Sequence, residues 1–156
     1  MIRLALVALL VVAAPSLSAQ ERTVADQSGA PIQISQYVAD YGAPRGREPA
    51  IAHGAEYQNK SGKAIAAVQI GFVSIDAFGT VMAHETATVI ASLRDGQTGQ
   101  AATEMRPPDA AGYMSGFVYV RKARSADGTV WEADYDAVAA QLRQPAPEAN
   151  AALLRD

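Results

Sequence analysis

The sequence predicts an antiparallel β-sandwich that ends in a short helix, and three observations lead to this prediction. Short segments rich in β-branched residues alternate with turns that contain Gly, Asn or Asp. Seven or eight such segments follow one another between residues 31 and 133. Residues 135–143 then show apolar side chains at helical spacing, directly after an aspartate that can cap a helix.

Length and composition limit the classes of protein that this chain can represent. The 156 residues are 49% hydrophobic and 19% charged, include no cysteine and carry a formal net charge of −3. This length suits one ordinary domain. The lack of cysteine excludes disulfide bonds, cysteine-ligated metals and a catalytic thiol. Because nucleic-acid binding depends on clustered positive charge, the acidic balance predicts a protein that does not bind nucleic acid.

The first 19 residues are typical of a secretory signal. Arg3 precedes the apolar run Leu4–Ala14, and Pro15 and small residues lead to Ala19. The apolar run is shorter than the roughly 20 residues needed to cross a bilayer, so it is not a membrane span. We predict cleavage after Ala19, although cleavage after Ser18 also fits. The mature chain is then exported to the periplasm or the extracellular space, without membrane insertion.

The first half of the mature chain reads as two strands after a polar lead-in. Residues 20–29 are polar and predict a flexible lead-in, whereas residues 31–38 alternate as in a strand. The composition of residues 41–49 indicates a loop. Residues 50–57 alternate again, and the sequence Asn-Lys-Ser-Gly at 59–62 predicts a turn.

Residues 63–78 predict a strand with an unusual apolar pattern. Their apolar spacing also fits a helix, but five β-branched residues and the central Gly71 favour a strand. Val68, Ile70 and Phe72 share one face of such a strand. Val73 and Ile75 share the other face. Either a bulge near residues 71–73 switches the apolar face, or both faces are buried.

The remaining strands precede the helix and a proline-containing tail. The segments that predict strands are 81–93 (one strand or two short ones), 100–106, 112–124 and 129–133, with turns at 94–99 and 125–128. Asp134 is predicted to cap the helix at 135–143. Pro145 and Pro147 predict a disordered tail over residues 144–156. The sandwich domain with its helix therefore covers residues 30–143.

Part of the chain is similar to a known family of exported domains. Asn59, Ser61, Gly62 and Lys63 lead into the sequence Phe-Val-Ser-Ile-Asp at 72–76. Over about residues 57–93 this pattern resembles the bacterial extracellular domains called FxLYD. In that naming motif Phe72 and Asp76 match, while serine replaces the leucine and isoleucine the tyrosine. The resemblance implies an immunoglobulin-like sandwich of about seven strands that serves adhesion or interaction, and it supplies no catalytic residues.

Two short motifs approach catalytic patterns without completing them. The sequence His-Glu-Thr-Ala-Thr at 84–88 has threonine where a zinc protease has its second histidine, and it lies on a predicted strand. In the sequence Gly-Tyr-Met-Ser-Gly at 112–116, the serine stands one place late for a nucleophile elbow. We therefore expect no enzyme activity and no cofactor.

A copper site is the alternative reading of the sulfur and imidazole side chains. Met82 and His84 stand two residues apart, and thioether and imidazole groups suit copper. His53, Met105 and Met114 lie elsewhere without tight spacing, and Met114 is expected in the core. On this reading the protein is a periplasmic copper carrier.

The strand at 112–124 contains the candidate binding residues. Its alternation places Tyr113, Phe117, Tyr119 and Arg121 on one side, and tyrosine and arginine are typical anchors of binding surfaces. If the aliphatic side of the strand faces the interior, this aromatic side forms an exposed binding stripe. In the opposite case the aromatic side is core, or the C-terminal helix covers it. Trp131 is expected in the core.

The function expected from these patterns is that of an exported, non-catalytic binding module. Its partner would be another exported protein or a component of the cell envelope. Recognition would use either strand addition at an open sheet edge or the aromatic side of the strand at 112–124.

Overall fold

A computed structural model describes residues 21–42 and 47–155. The predicted signal at 1–19 lies outside the described residues, as does the middle of the predicted loop at 41–49. Eight strands follow one another: β1 (Glu21–Val24), β2 (Ile32–Gly42), β3 (Ala50–Asn59), β4 (Ile65–Asp76), β5 (Val81–Leu93), β6 (Thr98–Met105), β7 (Tyr113–Ser125) and β8 (Val130–Glu132). Two helices, α1 (Tyr135–Leu142) and α2 (Ala151–Arg155), end the chain. Neither is long and apolar enough to cross a membrane.

The strands form two sheets that pack as an immunoglobulin-like sandwich. One sheet has the order β1-β7-β4-β5, with β8 also paired to β7, and the other has the order β2-β3-β6. In immunoglobulin terms, β2, β3 and β6 take the places of strands A, B and E, and β4, β7 and β8 those of C, F and G. Of the two remaining strands, β1 pairs with β7 and β5 pairs with β4. The predicted all-β sandwich with a C-terminal helix is confirmed.

Over the described residues 21–29, the lead-in predicted to be flexible partly joins the sheet instead. Residues 21–24 form β1 and pair in parallel with residues 115–118 of β7. The Gln27 side chain then accepts from the backbone N–H of Val120 at 2.7 Å and donates to its carbonyl at 2.8 Å. The backbone of β1 and the Gln27 side chain thus attach this segment to β7. Composition alone does not reveal such hydrogen bonds.

The sheet that contains β4 is buried on both faces. Between the sheets, Ile70 and Phe72 join a core with Tyr57 and Val118. On the opposite face, Val73 and Ile75 join a second cluster, whose other members include Phe117, Tyr119, Val138, Leu142 and Leu154. The register of β4 shifts between Ile65 and Ala67, between Gln69 and Ile70 and between Ser74 and Asp76, but not at 71–73. The predicted bulge is therefore wrong there, and the alternative of two buried faces is correct.

The C-terminal segment forms a third layer on that sheet. The Asp134 carboxylate accepts from the backbone N–H groups of Asp136 and Ala137, so the predicted cap of α1 is confirmed. Over the described residues 144–155, the tail predicted to be disordered is packed instead, because Ala146, Ala149 and Leu154 are buried. Pro145 and Pro147 follow the end of α1. The apolar residues between and after them pack in the cluster on this sheet.

Candidate functional site

The aromatic side of β7 is covered, so the prediction of an exposed binding stripe is wrong. Phe117 and Tyr119 have no exposed surface, and Tyr113 is only 6% exposed. Phe117 and Tyr119 lie under the C-terminal helices, which is the second of the two alternatives. Tyr113 instead lies between the sheets, because the register of β7 against β4 shifts just after it. Arg121 is half-buried at the end of the row.

Tyr119 and Arg121 attach the C-terminal segment to the sheet. The Tyr119 hydroxyl donates to the Leu154 carbonyl at 3.1 Å and lies 3.0 Å from Nε2 of His84. Burial raises the pKa of Tyr119 well above its usual value of 10.0. Arg121 donates to the Thr86 hydroxyl and to the Arg155 carbonyl. These two residues thus hold α2 against the sheet that contains β7.

Met82 and His84 lie on opposite sides of their sheet, an arrangement that does not favour the copper alternative. Met82 packs against the core between the sheets. His84 contacts Tyr119, which belongs to the cluster under the helices. The register shift between Ser74 and Ile75 leaves Met82 as the extra residue and reverses the alternation there. Within the described ranges, no group of three or more His, Cys, Asp or Glu residues could hold a metal ion.

Two residues expected in the core are less buried than predicted. Met114 is 41% exposed. It is the extra residue at the register shift of β7, which turns it outward. Trp131 is half-buried and packs against the margins of both apolar clusters. Both lie near the border of the sheet, where alternation does not determine burial.

A polar network is enclosed between the sheets around His53. The His53 ring nitrogens lie 2.8 Å from the Tyr37 hydroxyl and 2.8 Å from the Ser74 hydroxyl. Ser74 donates to the sulfur of Met105 at 3.3 Å. Because the Ser74 hydroxyl hydrogen is used in this bond, the hydroxyl oxygen accepts from Nε2–H of His53. Nδ1 of His53 then accepts from the Tyr37 hydroxyl, so both nitrogens of the neutral ring have a partner. Burial lowers the pKa of His53 from 6.5 to about 4.

The order Ser74, His53 and Tyr37 resembles a nucleophile, a base and a group that orients the base. Ser74 has no exposed surface, however, and His53 is only 2% exposed. No substrate carbonyl can approach the Ser74 hydroxyl while the sandwich is closed. The network therefore serves the packing of the two sheets.

β5 forms an open edge of its sheet. This 13-residue strand pairs with β4 alone among the described strands. Its pairing is regular from Ala83 to Ile90, between register shifts near the two ends of the strand. Ile90 is 87% exposed on this strand. An open edge offers a row of backbone N–H and C=O groups to another chain.

The edge strands of the other sheet are shorter. β2 has 11 residues and a register shift between Ile34 and Gln36. The Arg22 side chain also donates to the Ala39 carbonyl of β2 at 3.1 Å, so this edge is partly occupied. β6 has only 8 residues. β5 is therefore the longest edge strand in the described part of the chain.

Comparison with known proteins identifies the class of fold and no family. No family model matches the chain, and no curated protein matches it. A crystal structure of a hypothetical protein from Peptoclostridium difficile 630 is similar, with a TM-score of 0.53 and 12% identity over 83% of this chain and 99% of that one. At this identity the likeness extends to the fold alone.

A second solved structure, a target of the Northeast Structural Genomics Consortium called SoR45, is more distant. Its TM-score is 0.44, at 11% identity over 66% of this chain and 80% of that one. No conclusion about function follows from it.

Proposed function

We propose that this protein is an exported, non-catalytic interaction module that binds an extended segment of another exported protein by strand addition at β5. One observation carries the proposal, namely that β5 is a 13-residue strand with a partner on one side only. The added segment would hydrogen-bond to the backbone along the regular stretch from Ala83 to Ile90. Main-chain bonds of this kind supply affinity without requiring a particular sequence.

The composition of β5 supports an edge that is meant to be paired. Soluble proteins usually protect long edge strands with lysine, proline or inward-pointing charges. β5 contains no lysine, arginine or proline, and Glu85 is its one acidic residue. Such an edge would promote aggregation unless a partner covers it.

Ile90 supports a contribution of side chains to this recognition. It is 87% exposed, although isoleucine is normally buried. An added strand would place one of its own side chains beside Ile90, as cross-strand neighbours do. We therefore expect an apolar residue at that position of the partner.

The experiment is cross-linking in intact cells, followed by mass spectrometry of the captured proteins. The test variant is Ile90→Lys, which introduces the charge that protected edges carry. The control is Val130→Lys on β8, since Val130 is also exposed, at 56%. We expect a stoichiometric partner with the parent protein and with Val130→Lys, and at least a tenfold loss with Ile90→Lys. Equal capture by all three proteins contradicts recognition at β5, as does the lack of any partner.

Export is tested separately by sequencing the amino-terminus of the mature protein. We expect the mature protein in the periplasm or the medium, with Gln20 as its first residue. A cytoplasmic protein that retains Met1 would contradict this part of the proposal.

A further inference from the structure

The turn between β4 and β5 holds an exposed phenylalanine in a fixed position. Phe78 is 92% exposed, more than any other large apolar residue in the described part of the chain. The Asp76 carboxylate accepts from the backbone N–H groups of Phe78 and Thr80, both at 2.8 Å. Gly79 closes the turn with a φ of +77° and donates to the Asp76 carbonyl at 3.2 Å. A turn held in this way loses little conformational entropy when Phe78 binds a partner.

An apolar cleft lies on each side of Phe78. The first cleft, of about 470 Å³, separates the turn from the C-terminal segment and includes Val81, Pro147 and Leu153. The second cleft, of about 440 Å³, lies toward the connection between β6 and β7 and includes Met82, Pro107 and Pro108. An aromatic side chain between two apolar clefts is typical of the centre of a protein interface. We call this region, formed by Phe78 and the residues lining both clefts, the end surface.

Charged groups on the end surface indicate the chemistry of its partner. Its charged lining residues are Asp76, Asp109 and Glu148, and no lysine or arginine is among the described residues that line the clefts. Asp109 and Glu148 are exposed. Because carboxylates attract cationic groups and repel anionic lipids, this surface favours a basic protein segment over a membrane.

We propose that the end surface binds a protein segment in which an apolar side chain is flanked by lysine or arginine. The apolar side chain enters a cleft beside Phe78, and the cationic groups lie against Asp109 and Glu148. This recognition is independent of strand addition, because it uses the turn and the ends of other elements instead of the regular stretch of β5.

The experiment measures binding of the purified protein to three sets of synthetic peptides of equal length. The first set has a central leucine or phenylalanine flanked by lysine and arginine. The second has the same centre flanked by glutamate, and the third has a central serine flanked by lysine and arginine. We expect binding to the first set only, about tenfold weaker in the Phe78→Ser variant. Glu148→Gln should weaken it about threefold at low salt and less at high salt.

The matched control is Val130→Ser, which removes an exposed apolar side chain from β8. We expect it to leave peptide binding unchanged. Every protein in this test also carries Ile90→Lys, which blocks strand addition at β5, so failure of the β5 proposal does not affect this test. Unchanged binding by Phe78→Ser overturns the inference, and so does equal binding to glutamate-flanked peptides. Binding to anionic vesicles that depends on Phe78, or dimerisation that depends on Phe78, would assign the end surface to a membrane or to a second copy and would also overturn it.

Discussion

Two contacts between a histidine and a tyrosine lie against opposite faces of the sheet that contains β4 and β7, and the two pairs differ in how far the histidine is enclosed. Between the sheets, His53 is 2% exposed and bonds Tyr37 at 2.8 Å. Under the helices, Tyr119 has no exposed surface, while its partner His84 is half-buried at 3.0 Å. In the inner pair a titratable imidazole is trapped. In the outer pair the trapped group is a phenol that stays neutral at any ordinary pH.

The two pairs also differ in what closes them. The inner pair lies on β2 and β3 and is closed by the opposite sheet, in which Gly116 of β7 leaves the space that the Tyr37 hydroxyl occupies. The outer pair is closed by the C-terminal segment, and Gly71 leaves the space for the Tyr119 ring. A side chain at either glycine would collide with the tyrosine above it. Strands of the two sheets thus enclose the inner pair, whereas the C-terminal segment encloses the outer pair.

The largest expected effect comes from removing the ring of Tyr119. Tyr119→Ala should lower the free energy of unfolding by about 4 kcal/mol, because it empties a fully buried site beneath the helices. Urea denaturation measures this value, with Val130→Ala as an exposed control that changes it by less than about 0.5 kcal/mol. A loss below about 1 kcal/mol for Tyr119→Ala would mean that the C-terminal segment does not enclose the ring.

Acid should destabilise the protein through the inner pair. The pKa of His53 falls from 6.5 to about 4 on folding, so the unfolded chain binds the extra proton as the pH drops through this range. The stabilisation is complete above pH 6.5 and is lost as the pH falls to about 4, by about 3 kcal/mol in total.

This pH dependence is measured as the difference between the parent protein and His53→Gln, which cancels the titration of surface carboxylates. We expect the difference to shrink from pH 7 to pH 4. The Val130→Ala variant, which shortens an exposed side chain, should follow the parent curve. A constant difference over this range would show that folding does not lower the pKa of the His53 imidazole.

The smallest effects come from removing single hydroxyl groups. Tyr37→Phe leaves the buried Nδ1 of His53 without a donor and should cost about 2 kcal/mol. Tyr119→Phe removes the donor to the Leu154 carbonyl but leaves half-buried His84 able to bond to water, and it should cost about 1 kcal/mol. Thermal unfolding of both variants tests the order. If Tyr119→Phe costs more than Tyr37→Phe, the outer pair is the more enclosed of the two.

Local sequence patterns predicted an element well where interactions between near neighbours in the sequence determine it. The boundaries of β5 agree with the predicted segment 81–93, because turn residues bracket it on both sides. Asp134 caps α1 as expected, because its carboxylate reaches backbone N–H groups only two and three residues ahead. The candidate site was harder to predict. Phe78 stands at the end of the segment 63–78 predicted as a strand, and the signal that could have singled it out is an aromatic residue placed directly before a turn glycine.

The sequence by itself determined strands β2 to β8 and the helix α1 that follows them, since alternation, turn residues and caps act over a few neighbouring positions. Only the tertiary structure decided which faces are covered. Alternation groups Phe117 with Tyr119, but it does not reveal that Leu154, 35 residues away, lies over them. Exposure depends on such distant contacts. The aromatic side of β7 is therefore interior, whereas the edge of β5 is unpaired among the described strands and Phe78 is exposed.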